Sequence, residues 1–420
     1  MFGPKFKIYI IISLLFISGF VNFFVEFAGL GINVSYVSAL LDMILVMVAL
    51  FSFGIKGNKM LIAFMLLFLM VSVLSYFINI KDLTLVSFVN GMRDFLPYFL
   101  FPIIFIKIFQ FNDYKSLVKI MNRFLYIFLI VQIPVSIQQF IKMGAGDYVG
   151  GTFGLGGSGV LTFTVYLSTY YLMIQNFDHN KFFQSILKKS YLLVLWLPSF
   201  INETKISFVL MILFFVLLLP LNIKSIFNSI LIGLVLIPVL LYFDSVYTKT
   251  TGYGFLDEIF QKEYVTRYLL GDSDMDLSQT GDIPRFTKII LAFQIQKKEI
   301  FLFGNGAGQF KGGTTLSLTP FATSYMWLLQ GSRPMLFLVF VQLGLLGFIF
   351  YALSWLKLVS NAWKNKTFMY SRNLCIYLMA AYIIIMFYNE SLRYLFFSGI
   401  FMYFIVFANY WRYEKETAGS

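Results

Sequence analysis

The chain is short of charge. Asp, Glu, Lys and Arg make up 12% of its 420 residues, against about 25% in soluble globular domains. That shortfall excludes a soluble enzyme, and the apolar content below excludes a disordered polymer. The only cysteine is Cys375, so there is no internal disulfide, no secreted disulfide scaffold and no dithiol redox centre. The only histidine is His179, which leaves no zinc site of the usual His and Cys types. No Gly-x-x-x-x-Gly-Lys-Ser/Thr run stands in the sequence, so no phosphate-binding P-loop is expected. No repeat of about 20–50 residues is visible.

What is present is apolar. Hydrophobic residues reach 59% and aromatics 20%, with a mean hydropathy of +0.80. A helix needs about 20 apolar residues to cross roughly 30 Å of hydrocarbon. The pattern predicts an all-α polytopic membrane protein with about twelve spans: 6–26, 34–54, 60–79, 95–111, 119–141, 159–177, 188–201, 205–220, 226–243, 334–356, 372–388 and 392–411. The first run is longer than a signal peptide's and has no Ala-x-Ala cleavage site, so it counts as a span.

The 32 basic residues set the expected orientation. With Lys5 and Lys7 inside, eighteen Lys and Arg fall on the inner side, five on short outer loops and nine in 244–333. This positive-inside bias places both termini in the cytoplasm and 244–333 outside. The chain then divides into 1–243 with nine helices, an external segment 244–333, and 334–420 with three helices and a tail. An external segment of that length implies function or its own secondary structure. Pro284 followed by Phe286, Ile289, Ile290, Phe293 and Ile300 predicts a helix with Pro284 in its first turn. Nine acids balance the nine basic residues there, so 244–333 is not a polybasic lipid patch. The net charge of +12 is read as cytoplasmic loops, not as a nucleic-acid surface.

Five of the eight arginines lie against that bias, on the outer side or its edge: Arg93, Arg267, Arg285, Arg333 and Arg393. Arginine's planar fork matches phosphate in a bidentate way. Any one of them can instead be a salt bridge, as Arg393 with Glu390. Gly304-Asn305-Gly306-Ala307-Gly308 reads as a tight turn whose bare backbone permits close approach of a partner. It lacks the sixth-position glycine of a dinucleotide fingerprint, Gln309 standing there. Asp272, Asp274 and Asp276 fail the EF-hand template, with Leu277 and Ile283 where Gly and Glu are needed. The glycines from Gly144 to Gly159 predict a flexible outer loop. Ionisable residues near span ends, Glu203, Lys205 and Glu390, are functional candidates, and Asp42 within the second span is a functional or a hydrogen-bonding residue.

Several pieces stand in a recognisable order. Tyr148-Val149-Gly150-Gly151-Thr152-Phe153-Gly154 precedes a span, and Glu203-Thr204-Lys205-Ile206-Ser207 opens another. Arg285 precedes Leu302-Phe303-Gly304-Asn305-Gly306-Ala307-Gly308-Gln309-Phe310, and Gln342-Leu343-Gly344-Leu345-Leu346-Gly347 lies inside the next span. This resembles the O-antigen polymerase/ligase superfamily, most closely the Wzy-type polymerases. The resemblance implies a GT-C-like fold in the bacterial inner membrane. It implies a metal-independent, cofactor-free glycosyl transfer from an undecaprenyl-pyrophosphate-linked oligosaccharide, with a Wzz-like chain-length regulator as a possible partner. Arg285 matches the family's loop arginine, and Lys205 stands where many relatives have Ser-Arg. The ligases' His-Asn pair is replaced by Arg333-Pro334, which favours polymerase over ligase; a lipid-linked oligosaccharide flippase is the reading from another class. On this reading Arg285, Arg267 and Arg333 clamp pyrophosphate. Glu203, Asp282 and Glu390 are candidate bases, and Lys205, Arg93, Gly304, Gly306 and Gly308 are expected to bind substrate.

Overall fold

The computed structural model describes residues 4–27, 29–52, 59–110, 114–144, 146–175, 177, 181–202, 204–219, 241, 245, 248–249, 283–296, 300–311, 318–329, 331–364 and 369–410. The structure is 81% helical, with no strand among the described residues. The helices are α1 (Pro4–Glu26), α2 (Val34–Leu50), α3 (Lys59–Ile78), α4 (Leu85–Met92), α5 (Leu96–Gln110), α6 (Tyr114–Met143), α7 (Ser158–Ile174), α8 (Phe182–Lys188), α9 (Tyr191–Val194), α10 (Leu197–Ile201), α11 (Ile206–Leu218), α12 (Arg285–Ile295), α13 (Pro320–Tyr325), α14 (Met335–Lys364), α15 (Met369–Tyr388) and α16 (Leu395–Tyr410). Five stretches, in α1, α3, α6, α14 and α15, are long and apolar enough to cross a membrane. The apolar helices α2, α5, α7, α11 and α16 are shorter.

Burial divides them by role. From Leu395 to Ala408 every residue of α16 is buried, as befits a helix that is apolar all round. On α2 the buried Leu41, Leu45 and Val48 face the core, while Tyr36, Leu40, Met43, Met47 and Leu50 form an exposed apolar stripe. A water-facing helix would carry charge on that stripe; a lipid-facing one has no need to. Trp355 is stacked between Tyr382 and Phe401, at 4.6 and 5.1 Å, and joins α14, α15 and α16.

The expected span 334–356 is interrupted. Gly344 has φ +67° and ψ −168° in the middle of α14, a conformation open to glycine but strained for other residues. The backbone groups freed by the break are taken up by the preceding loop. Asn305 and Gly306 donate to the carbonyls of Val341 and Gln342 at 2.9 and 2.8 Å, and Leu345 and Leu346 donate to Phe301 and Leu302 at 3.0 and 3.1 Å. The Gln342 side chain accepts from the Gly308 N–H at 2.8 Å. A helix can break at membrane depth only where its orphaned groups find partners of this kind.

Two further expectations change. The stretch expected as a span over 188–201 is divided among the end of α8, α9 and α10, with Pro198 in the first turn of α10; proline has no N–H to continue a preceding helix. The glycine-rich loop expected to be flexible is stapled to α6. Gln139 exchanges two hydrogen bonds with Gly151, and Gln132 binds both the N–H and the hydroxyl of Thr152. Asn22 and Glu26 hold Phe153 and Leu155 from α1. The helix expected after Pro284 is α12, beginning one residue later, with Pro284 as its cap.

Candidate functional site

One end of the bundle gathers the end of α1, the start of α2, the α4–α5 junction, the starts of α7, α12 and α16, the end of α15, Lys311 and the 331–333 loop. Here charges of alternating sign form a chain. Lys311 donates to Asp94 at 2.9 Å. The other partner of Asp94 is Arg393, at 2.5 Å. Arg393 also pairs with Glu390, whose second oxygen takes Arg333. Beside this chain, Arg93 binds Asp42 at 2.7 Å, Asn90 at 2.9 Å and Ser38 at 3.1 Å.

Partial burial makes these pairs matter more than surface pairs. Burial pushes the Asp94 carboxyl up, but Arg393 and Lys311 outweigh it and hold the group below the ordinary carboxylate range. Burial lowers the Lys311 ammonium, with Asp94 acting against that shift.

Two cavities flank the chain. The first, of about 380 Å³, is lined by Asp147, Ser158, Thr204, Arg285, Ser332 and Asn389, among others. The second, of about 440 Å³, is lined by Ser38, Asp42, Arg93, Asp94, Lys311 and Arg393, among others. Arg333, Glu390 and Tyr394 line both. Each has a volume suited to a small polar group such as a phosphate pair or a sugar. Arg285 enters the first from the start of α12. Its Nε donates to the Tyr388 carbonyl at 3.0 Å, one terminal nitrogen donates to Ser332 at 2.8 Å, and the guanidinium lies 4.2 Å from the centre of the Tyr388 ring.

A third cavity, of about 180 Å³, is wholly apolar and lies between α2, α3 and α5. Val46 on α2 lines it one turn from Asp42, and Met92 lines it next to Arg93.

Of the arginines singled out by charge, Arg93, Arg285, Arg333 and Arg393 converge on these cavities. Arg267, Glu203 and Asp282 lie outside the described residues, as do Asp272, Asp274 and Asp276. Among the described residues, no three His, Cys, Asp or Glu side chains group so as to hold a metal ion. Glu390 is in the site but is engaged by two arginines. Lys205 lines neither cavity; its neighbour Thr204 lines the first.

Gly304, Gly306 and Gly308 also line neither cavity, and the partner their bare backbone admits is the protein itself. A Cβ on Gly304 would lie 2.4 Å from the Gly344 nitrogen, one on Gly306 would lie 2.6 Å from Leu83, and one on Gly308 would lie 2.0 Å from the Ser87 carbonyl. Packing against α3, α4 and α14 accounts for these glycines without a substrate. Sequence reasoning missed Lys311, Asp94 and Asp147. Lys311 carries the signal that marked the arginines, a basic residue on the expected outer side. Asp94 and Asp147 carry none, since their partners are distant or lie across a loop.

No protein-family model matches the chain, and no curated protein matches it.

Proposed function

We propose that the chain is a Wzy-type polysaccharide polymerase at the outer face of a bacterial inner membrane. In this reading it has about twelve spans in a GT-C-like arrangement, with cytoplasmic termini. The observation that carries the reading is the convergence of Arg93, Arg285, Arg333 and Arg393 on two adjoining cavities at one end of an apolar helical bundle. A soluble anion would not need the apolar cavity that, like the second charged one, is lined from α2 and the α4–α5 junction. A lipid-linked pyrophosphate would use both.

The donor is the growing glycan on undecaprenyl pyrophosphate, and the acceptor is a lipid-linked repeat unit. An acceptor hydroxyl attacks the anomeric carbon, and the pyrophosphate leaves with the electron pair of the broken C–O bond. The charge that develops on the leaving oxygen is stabilised by preorganised guanidinium groups, and catalysis otherwise rests on positioning two large substrates. Arg285 and Arg333 face the first cavity and share it with donors such as Ser332 and Asn389. The ion pairs hold the arginine forks in place before substrate arrives. A Wzz-like regulator of chain length is the protein partner this reading implies.

The test is Arg285→Lys in purified protein supplied with a lipid-linked repeat unit. Lysine keeps the charge but cannot reproduce both the Tyr388 and Ser332 contacts and a fork toward phosphate. Loss of one charge-assisted contact of about 3 kcal/mol in the transition state slows turnover about a hundredfold. Near-normal polymer from this variant would remove Arg285 from the clamp.

A further inference from the structure

A hydroxyl that attacks an anomeric carbon must lose its proton, and the two cavities offer four carboxylates to take it. Asp42, Asp94 and Glu390 are all held by cations: Asp42 by Arg93, Asp94 by Lys311 and Arg393, and Glu390 by Arg333 and Arg393 on separate oxygens. The oxygens of Asp94 and Glu390 are taken up by these cations, and Asp42 lines only the second cavity, which Arg285 does not line. The fourth, Asp147, differs. Its Oδ1 accepts a hydrogen bond from the Ser158 hydroxyl at 2.8 Å, a neutral donor. It is exposed and lines the first cavity together with Arg285 and Arg333.

The local chain fixes Asp147 there. It follows Gly146, whose φ is +119°, in a turn closed by the Val149 N–H to the Gly146 carbonyl at 3.0 Å. Four residues later the Gln139 side chain clamps Gly151 to α6. Ser158 is the first residue of α7, and Asn202 binds its carbonyl at 3.1 Å. The serine therefore orients one carboxylate oxygen of a residue that lines the cavity.

We infer that Asp147 is the general base that deprotonates the acceptor hydroxyl, in the cavity that Arg285 and Arg333 also line. The inference rests on the polymerase reading above. In the step, the acceptor O–H proton passes to a carboxylate oxygen of Asp147. The acceptor oxygen forms the new bond to the anomeric carbon, and the bond to pyrophosphate breaks with its electron pair going to undecaprenyl pyrophosphate. The proton later leaves Asp147 to water through the open cavity. No oxidant, reductant or metal is needed for the balance.

The test uses full-length protein in nanodiscs, a defined undecaprenyl-pyrophosphate-linked repeat unit as donor and acceptor, and azide as a second nucleophile. Azide has no proton to lose, so its attack on the anomeric carbon, giving a glycosyl azide, bypasses a base. Asp147→Asn is nearly isosteric and can still accept from Ser158, so it should fold as the wild type does; thermal unfolding checks this. The expected result is that elongation falls about a hundredfold or more, glycosyl azide formation stays near the wild-type rate, and Asp147→Glu recovers part of the elongation. Elongation by Asp147→Asn at the wild-type rate overturns the assignment. So does an equal fall in elongation and azide capture, which would make Asp147 a positioning residue. A wild-type protein that forms neither polymer nor glycosyl azide refutes the polymerase reading itself, and the base with it.

Discussion

Replacing Arg393 by methionine should destabilise the protein sharply. Arg393 joins Asp94 to Glu390, and its side chain is 17% exposed, against 14% and 13% for its partners. Methionine keeps much of the volume and removes the charge. Deleting one partner of a buried pair costs about 3–5 kcal/mol, because a charge is left uncompensated. Here neither carboxylate is stranded, since Asp94 keeps Lys311 and Glu390 keeps Arg333. The expected loss is therefore near the lower bound, about 3 kcal/mol. Lysine in the same place reaches one carboxylate, and the lost charged hydrogen bond should cost about 1.5 kcal/mol.

The assay is unfolding of purified protein in mixed micelles with rising detergent denaturant, followed through the buried Trp196 and Trp355. Acidification supplies a second readout. The Asp94 carboxyl is held below its ordinary value in the folded state, so the stability it contributes is present above the unfolded value of about 3.9 and lost as pH falls below it. Asp94→Asn should flatten that acid limb. A loss under about 1 kcal/mol for Arg393→Met, the range of exposed ion pairs, would refute the claim that these charges act as a buried, preorganised chain.

Gly308→Ala should sharply lower folded yield on size-exclusion chromatography, because its Cβ would lie 2.0 Å from the Ser87 carbonyl and overpacking costs about 1–3 kcal/mol or more; a normal yield would show that the 304–308 turn is loosely seated. A cysteine placed at Ser278 should label from outside the cell and one at Asn365 should not; the opposite pattern would reverse the proposed orientation. Turnover should survive chelation by EDTA; loss restored by Mg²⁺ or Mn²⁺ would bring Asp272, Asp274 and Asp276 forward as ligands.

The helices are legible in the sequence because long apolar runs leave few alternatives. What the runs conceal is where a helix stops within them. Nothing in Val341-Gln342-Leu343-Gly344-Leu345 marks Gly344 as a break, because the cause lies in the 301–308 loop that supplies the missing hydrogen bonds. The small helix α4 before α5 is hidden in the same way, whereas the division of 188–201 has a local mark in Pro198. The arginines are legible from charge placement alone, since a basic residue against the positive-inside bias needs a reason. Glu390, three residues from Arg393, is a legible partner and does pair with it, but the distant partners are not legible: Arg393 meets Asp94 across 299 residues and Lys311 meets it across 217, and no periodicity reports a contact of that separation. The glycine turn is conspicuous in sequence yet serves packing, because close approach looks the same whether the partner is a substrate or another helix.

The most direct measurement of the central claim is elongation by the purified wild-type protein in nanodiscs, given only defined undecaprenyl-pyrophosphate-linked repeat units. The account predicts a ladder of products, each one repeat unit longer than the last, with undecaprenyl pyrophosphate released at every step. Intact repeat units carried across the bilayer with no new glycosidic bond would contradict it.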